Sequence, residues 1–115
     1  MNWVVKKFNE LSTGELYEIL KLRSEVFVVE QECIYEDCDG KDKKSYHLFA
    51  EQNGEILVYL RILEKGVSYS EISIGRFLAN KKYLGRGFAK QTMLRAIEFI
   101  EHYLNEKEIR ISAQV

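Results

Sequence analysis

The sequence predicts one domain of the mixed α/β (α+β) class, a mainly antiparallel central sheet with flanking helices. Three observations predict it. Runs rich in β-branched and aromatic residues are interleaved with two segments of helical period. Two neighbouring strand-like runs meet at Asn53-Gly54, the strongest short hairpin signal. A strand, a glycine-rich turn, a long amphipathic helix and a final strand close the chain, an order that gives a parallel pair with a right-handed crossover. With 115 residues, 46% of them hydrophobic and 30% charged, the chain supports one ordinary core and no second domain.

Each element has a local cause. Trp3 to Phe8 alternates weakly and reads as a first strand. Ser12-Thr13-Gly14-Glu15 has capping-box spacing, so a helix starts there, with Leu16, Ile19, Leu20, Arg23 and Phe27 on one broad face. Residues 33 to 44 form a polar loop, acidic then basic. Tyr46 to Glu51 and Glu55 to Leu63 are the hairpin strands, and a looser turn around Gly66 leads to a strand over Glu71 to Ala79. Arg86 to Leu104 follows as a helix whose Phe88, Met93, Leu94, Ile97, Phe99 and Ile100 fit the helical period. Glu108 to Val115 is the final strand.

Bulk properties narrow the function. Lys plus Arg number 17 against 18 Asp plus Glu, so there is no basic excess for a nucleic-acid footprint. The N-terminus carries no apolar run suited to a signal peptide or membrane span, which points to a cytoplasmic protein. Two cysteines, Cys33 and Cys38, read as reduced thiols rather than a disulfide scaffold.

The most informative segment is Leu84-Gly85-Arg86-Gly87-Phe88-Ala89-Lys90, between a strand and a helix. Helix N-termini present unpaired N–H groups and a positive dipole end, and glycines let the main chain approach an anion closely. Arg86 and Lys90 place cations where the dipole disfavours them, which a bound anion explains. A Walker loop needs four residues between its glycines and then Lys-Ser/Thr. A dinucleotide fingerprint needs a third glycine where Lys90 stands. Neither fits, and a plain tight turn is the alternative.

The segment resembles the pyrophosphate-binding signature of the GNAT acetyltransferases, Gln/Arg-x-x-Gly-x-Gly/Ala, with Leu84 replacing the first polar residue. Two further blocks, Leu22 to Cys33 and Asp37-x-Asp39-Gly40-x-Asp42, resemble the ElaA-like branch of that superfamily. Tyr59 to Leu63 and Ile74-Gly75-Arg76 fall where that branch has similar segments. The resemblance is collinear over essentially the whole chain. It implies an enzyme that moves an acetyl group from acetyl-CoA, as co-substrate, to a primary amine. Phe77, Leu78 and Ala79 would pair with the pantetheine arm, amides 85 to 90 would hold the pyrophosphate, and an amide near Leu78 would bond the acetyl carbonyl. Such domains normally continue past this point with a helix and a closing hairpin, so the chain is expected to be short of that C-terminal end.

Deprotonating an amine of pKa about 10.4 requires a base or a water chain. Glu30 and His47 are the candidates for proton handling, each with a structural alternative: a solvated helix cap and a core histidine. Arg23, Arg61 and Arg76, with Gln31 nearby, are candidates to hold an anionic acceptor. Arg76 stands out because it interrupts an Ile72, Ile74, Leu78 face, and its alternative is a pair with Glu30 or another carboxylate. The sequence leaves the acceptor open among a small amine, an antibiotic-like molecule and a protein lysine, with a homodimer as an option.

Other chemistries fit poorly. An EF-hand registered on Gly40 would put Tyr35 and Tyr46 at ligand positions, and Cys33, Cys38 and His47 lack a fourth zinc ligand. No metal is expected. An acyl-homoserine-lactone synthase shares the Arg then Val-Phe of the first helix, but not the glycine turn. A catalytically degenerate acyl-CoA-binding or interaction module remains as the second reading.

Overall fold

The computed structural model describes residues 1–26, 38–81 and 87–111. They form strands β1 (Asn2–Lys7), β2 (Ser45–Gln52), β3 (Glu55–Leu63), β4 (Ile72–Ala79) and β5 (Ile109–Ile111), with helices α1 (Thr13–Arg23) and α2 (Phe88–Glu98). The sheet order is β1-β2-β3-β4-β5. The first four strands are antiparallel neighbours, and β4 with β5 is the parallel pair that the strand-helix-strand order implies.

Local chemistry sets the boundaries. Ser12 Oγ accepts from the Glu15 amide at 3.0 Å, and Glu15 Oε1 accepts from the Ser12 amide at 2.8 Å, so two orphan donors at the start of α1 are satisfied reciprocally. The two-residue turn between β2 and β3 has φ 55° at Asn53 and φ 79° at Gly54. Both signs are what a tight right-twisted hairpin demands.

The sheet is covered on both faces. On one, Ile19, Leu22 and Val26 pack over Phe49, Ile56, Tyr59 and Leu78. On the other, Ala96 and Ile100 pack over Tyr46, Leu48, Leu60, Ile62, Ile72 and Ile74. Double-sided burial explains why β2 and β3 read as nearly continuous apolar runs. The buried stripe of α2 steps through Thr92, Ala96 and Ile100. Small residues there let the helix approach closely, and Thr92 Oγ1 donates to the Phe88 carbonyl at 2.5 Å. Leu94, counted with the apolar face in the sequence, is instead 55% exposed. After α2 a wider π-type turn, Phe99–Tyr103, ends the helical segment.

One departure from regularity matters for function. β3 and β4 pair Arg61 with Gly75 and then Tyr59 with Leu78, so Arg76 and Phe77 together oppose Leu60. This is a β-bulge. Arg76 sits at φ 55°, a left-handed conformation costing a non-glycine residue about 1–2 kcal/mol. The extra residue corrects the expectation that Ile72, Ile74 and Leu78 share a face. Phe77 joins Ile72 and Ile74 on the α2 side, and Leu78 turns to the α1 side. Arg76 is thereby diverted toward a carboxylate, Asp39, rather than interrupting an apolar row.

Candidate functional site

α2 begins at Gly87, whose φ of 77° and ψ of 6° are left-handed. Among the described residues a Cβ built there would meet no atom within 4 Å, so the glycine serves backbone conformation. The Gln91 amide closes the first turn on the Gly87 carbonyl at 3.1 Å. Amides of a first turn have no partner inside their own helix, and the dipole is positive there. That turn carries no acidic residue, and it contains Phe88, Ala89 and the cation Lys90. Leu84, Gly85 and Arg86 lie outside the described residues.

Just upstream, β4 offers a second set of main-chain groups. The Asn80 amide donates to the Leu57 carbonyl on β3 at 2.7 Å. Alternation then points the Leu78 amide toward β3 as well, and the Phe77 and Ala79 amides toward the β5 side. Among the described residues, pairing of β4 with β5 covers only Ile72–Ile74 against Ile109–Ile111. Donors for an extended ligand along this part of β4 are therefore the amides that flank Leu78.

The α1 side of the sheet holds a buried ionic network. Arg23 Nη1 donates to Asp42 Oδ1 at 2.7 Å, and Arg61 Nη1 donates to the same oxygen at 3.0 Å. Arg61 also forks onto Asp39, Nη1 to Oδ1 at 2.9 Å and Nη2 to Oδ2 at 2.7 Å. Arg76 Nη2 reaches Asp39 Oδ2 at 3.4 Å. The three arginines are 0%, 4% and 7% exposed. Among the described residues, these guanidiniums hold the segment 38–44 against β3, β4 and α1. That is the ion-pair alternative, with Asp39 a carboxylate partner of Arg76 and Glu30 outside the described residues.

His47 belongs to the same network. It is fully buried, with Nε2 3.0 Å from the Asp42 carbonyl and Nδ1 2.7 Å from the Tyr59 hydroxyl. The carbonyl can only accept, so Nε2 carries the proton and Nδ1 accepts from Tyr59. Both nitrogens are thus engaged inside the core, which favours the structural role over proton handling. Burial, chiefly, holds the imidazole pKa below its ordinary value, aided by the Arg23 and Arg61 charges. Burial also pushes the Tyr59 hydroxyl up. For Asp39 and Asp42 burial raises the pKa, but hydrogen bonds and charge from Arg61 and Arg23 respectively outweigh it, leaving both carboxyls below the usual range.

These shifts set a pH profile for stability. Below about pH 6.5 the unfolded chain takes a proton on His47 that the folded core refuses, so stability falls as pH drops through that value. The two aspartates contribute stability above about pH 3.9, and it is lost as acid protonates them at lower pH. Thermal unfolding of His47→Gln should therefore lose the decline between about pH 6.5 and 5 and keep the steeper acid limb. An unchanged slope in the upper window would remove His47 from this account.

Of the residues singled out in the sequence, the structure brings Arg23, Arg61, Arg76 and His47 into one cluster. Phe77, Leu78 and Ala79 occupy the end of β4, and Phe88, Ala89 and Lys90 the start of α2. Glu30 and Gln31 lie outside the described residues. Sequence reasoning missed Asp39, Asp42 and Tyr59 as members of the cluster. A signal for the aspartates existed, since arginines inside the apolar strands β3 and β4 need carboxylate partners.

Comparison with known proteins agrees with this geometry. A model of the Acetyltransferase (GNAT) family matches residues 13–114. A UPF0039 protein of Synechocystis is 40% identical across 99% of this chain and 75% of its own length. The crystal structure of an acyl-CoA N-acyltransferase from Pseudomonas aeruginosa has a TM-score of 0.91 and 37% identity, covering 98% of this chain and 79% of that one. The crystal structure of Escherichia coli ElaA has a TM-score of 0.91 and 34% identity, covering 99% of this chain and 78% of that one.

Proposed function

Since the chain belongs to the Acetyltransferase (GNAT) family, matched over residues 13–114, we propose that it transfers the acetyl group of acetyl-CoA to a primary amine. The observation that carries this reading is the left-handed Gly87 opening α2 just beyond the β5-facing amides of β4. The pyrophosphate of CoA docks on the first-turn amides of α2 beside Lys90, within the Leu84-Gly85-Arg86-Gly87 signature of the sequence. The pantetheine arm runs along Phe77–Ala79 and pairs with that edge. An amide of Phe77 or Ala79 then donates to the thioester carbonyl and gains strength as the oxyanion develops.

In the transfer itself the neutral amine attacks the carbonyl carbon, an N–C bond forms, and the C–S bond breaks to release the CoA thiolate. The ammonium loses its proton before attack, and the thiolate or solvent takes up a proton afterwards. Glu30 is the residue to test for the first of these steps. With its arginines committed to Asp39 and Asp42, the buried cluster acts on the shape of the site rather than on an anionic acceptor.

Titration calorimetry of acetyl-CoA into the chain tests the first claim, with a Kd of about 1–100 μM expected. Release of free CoA thiol on adding small amines and lysine peptides tests the second. Absence of binding sinks the reading. Binding without thiol release for any amine favours the catalytically degenerate module, a reading supported by the engagement of both His47 nitrogens.

A further inference from the structure

We infer that the free edge of β1 is a docking site for an extended segment of a partner protein, of the pattern acidic-x-apolar-x-acidic. The segment joins the sheet beside β1 and sets its middle side chain in a groove on the α2 side. This site is separate from the acetyl-CoA reading and lies at the sheet margin away from β5.

Among the described residues β1 ends the sheet, with β2 on one side and no strand on the other. Such an edge presents a row of unpaired N–H and C=O groups, the template that a further strand needs. Side chains alternate along β1: Val4 packs against the α1-side core, and Trp3 against the α2-side core. Val5 and Lys7 follow Trp3 on the α2 side. Lys6 turns the other way and bonds Glu15 of α1 at 3.0 Å.

The α2 side of this edge holds a groove of about 420 Å³. Trp3, Val5 and Leu48 line it from the sheet, Phe99 and Tyr103 from the helical segment. The Phe99 and Tyr103 rings stack with centres 4.8 Å apart. Val5 is 37% exposed and Tyr103 68%, so apolar surface lies uncovered there. In an added strand the residue opposite Val5 stands about 5 Å from it on the same face. A leucine-sized side chain at that position reaches the groove.

Charge selects the occupant. The Arg95 guanidinium lies 4.5 Å from the centre of the Trp3 ring, and the Lys7 ammonium 5.8 Å from that of Tyr46. Among the described residues neither cation has a carboxylate within salt-bridge range. Trp3 and Lys7 stand about 13 Å apart along the strand, with Val5 midway. Carboxylates opposite Trp3 and Lys7, and an apolar residue opposite Val5, answer all three positions. Glu98, the one carboxylate among the described groove residues, opposes such a strand but offsets only one of the two cations. A second copy fits badly, because Asn2–Lys7 contains no acidic residue and self-pairing leaves both cations unanswered. Lysines on an edge guard against pairing with like strands, and they admit a strand of opposite charge.

Trp3 is the single tryptophan of the chain, so its fluorescence reports on the groove without a label. The probe is the end-blocked peptide Thr-Glu-Thr-Leu-Thr-Glu-Thr, compared with the same peptide carrying lysine for both glutamates. The acidic peptide should shift Trp3 emission saturably. It should bind roughly tenfold tighter than the lysine peptide, since two exposed attractions replace two repulsions. Lys7→Glu, a change at an exposed side chain, should bring the two peptides within about twofold of each other. Strand pairing has a signature of its own, because successive amides of a strand point to opposite sides. N-methylation of the glutamates and leucine, or of the two threonines between them, should abolish binding in one case and spare it in the other. Absence of saturable binding, equal affinity for the two peptides in the wild-type chain, or an equal effect of both methylation patterns would each overturn the inference. So would peptide-free self-association that shifts Trp3 emission, since the edge then belongs to a second copy.

Discussion

Acetyl-CoA binding is expected to fall at least ~100-fold in Gly87→Glu and only a few-fold in Gly87→Ala. The two substitutions share one cost and differ in another. Gly87 has φ 77°, so any L side chain there strains the backbone by about 1–2 kcal/mol. Among the described residues neither side chain meets an atom at its Cβ, since none lies within 4 Å. Stability should therefore drop similarly, and slightly less for glutamate, because a negative charge suits the positive end of a helix. Ligand binding reverses that order. A carboxylate about 5 Å from a phosphate, at an effective dielectric near 20, costs about 3 kcal/mol. Calorimetry with acetyl-CoA and thermal unfolding of the same two variants separate the effects. Equal losses of affinity in both would mean that no anion docks on the α2 N-terminus.

Much of this arrangement is legible in the residues. Ser12 and Glu15 announce the start of α1, Asn53-Gly54 the hairpin, and the strand-turn-helix-strand order the parallel pair, because each depends on neighbours in sequence. The Gly87 turn is legible for the same reason. What stayed hidden depends on partners far apart in the chain. Nothing in Ile72-Ser73-Ile74-Gly75-Arg76-Phe77-Leu78 marks a bulge, since plain alternation places Ile72, Ile74 and Leu78 together just as well. The bulge follows from Phe77 and Leu78 each having a different core to enter and from Arg76 having a carboxylate 37 residues away. In the same way residues 33 to 44 read as a solvated charged loop, because a run of charges is usually one. Asp42 is buried there only because Arg23 and Arg61, each 19 residues distant, demand it. His47 shows the reverse case. A histidine at a strand start leaves proton handling and a core role both open, and the Asp42 carbonyl and the Tyr59 hydroxyl supply the partners that favour the core role.

The second large effect concerns that core. Arg23→Met should destabilise the chain by about 3–5 kcal/mol, although methionine fills much of the same volume. Arg23 is wholly buried, its Nη1 lies 2.7 Å from Asp42, and its guanidinium sits 5.9 Å from the centre of the Tyr59 ring. Methionine removes the charge and leaves Asp42 with Arg61 as its one remaining ion-pair partner in the described network. The penalty is that of a buried carboxylate with half its compensation gone, not of a cavity. Arg23→Lys should recover only part of the loss, since an ammonium cannot reproduce the fixed planar donors. Adding Asp42→Asn to Arg23→Met should cost less than the two single losses combined, because the stranded charge is then gone. Denaturant unfolding of the four proteins measures that coupling. Strict additivity, or a single-variant loss below about 1 kcal/mol, would place the pair among weak surface contacts.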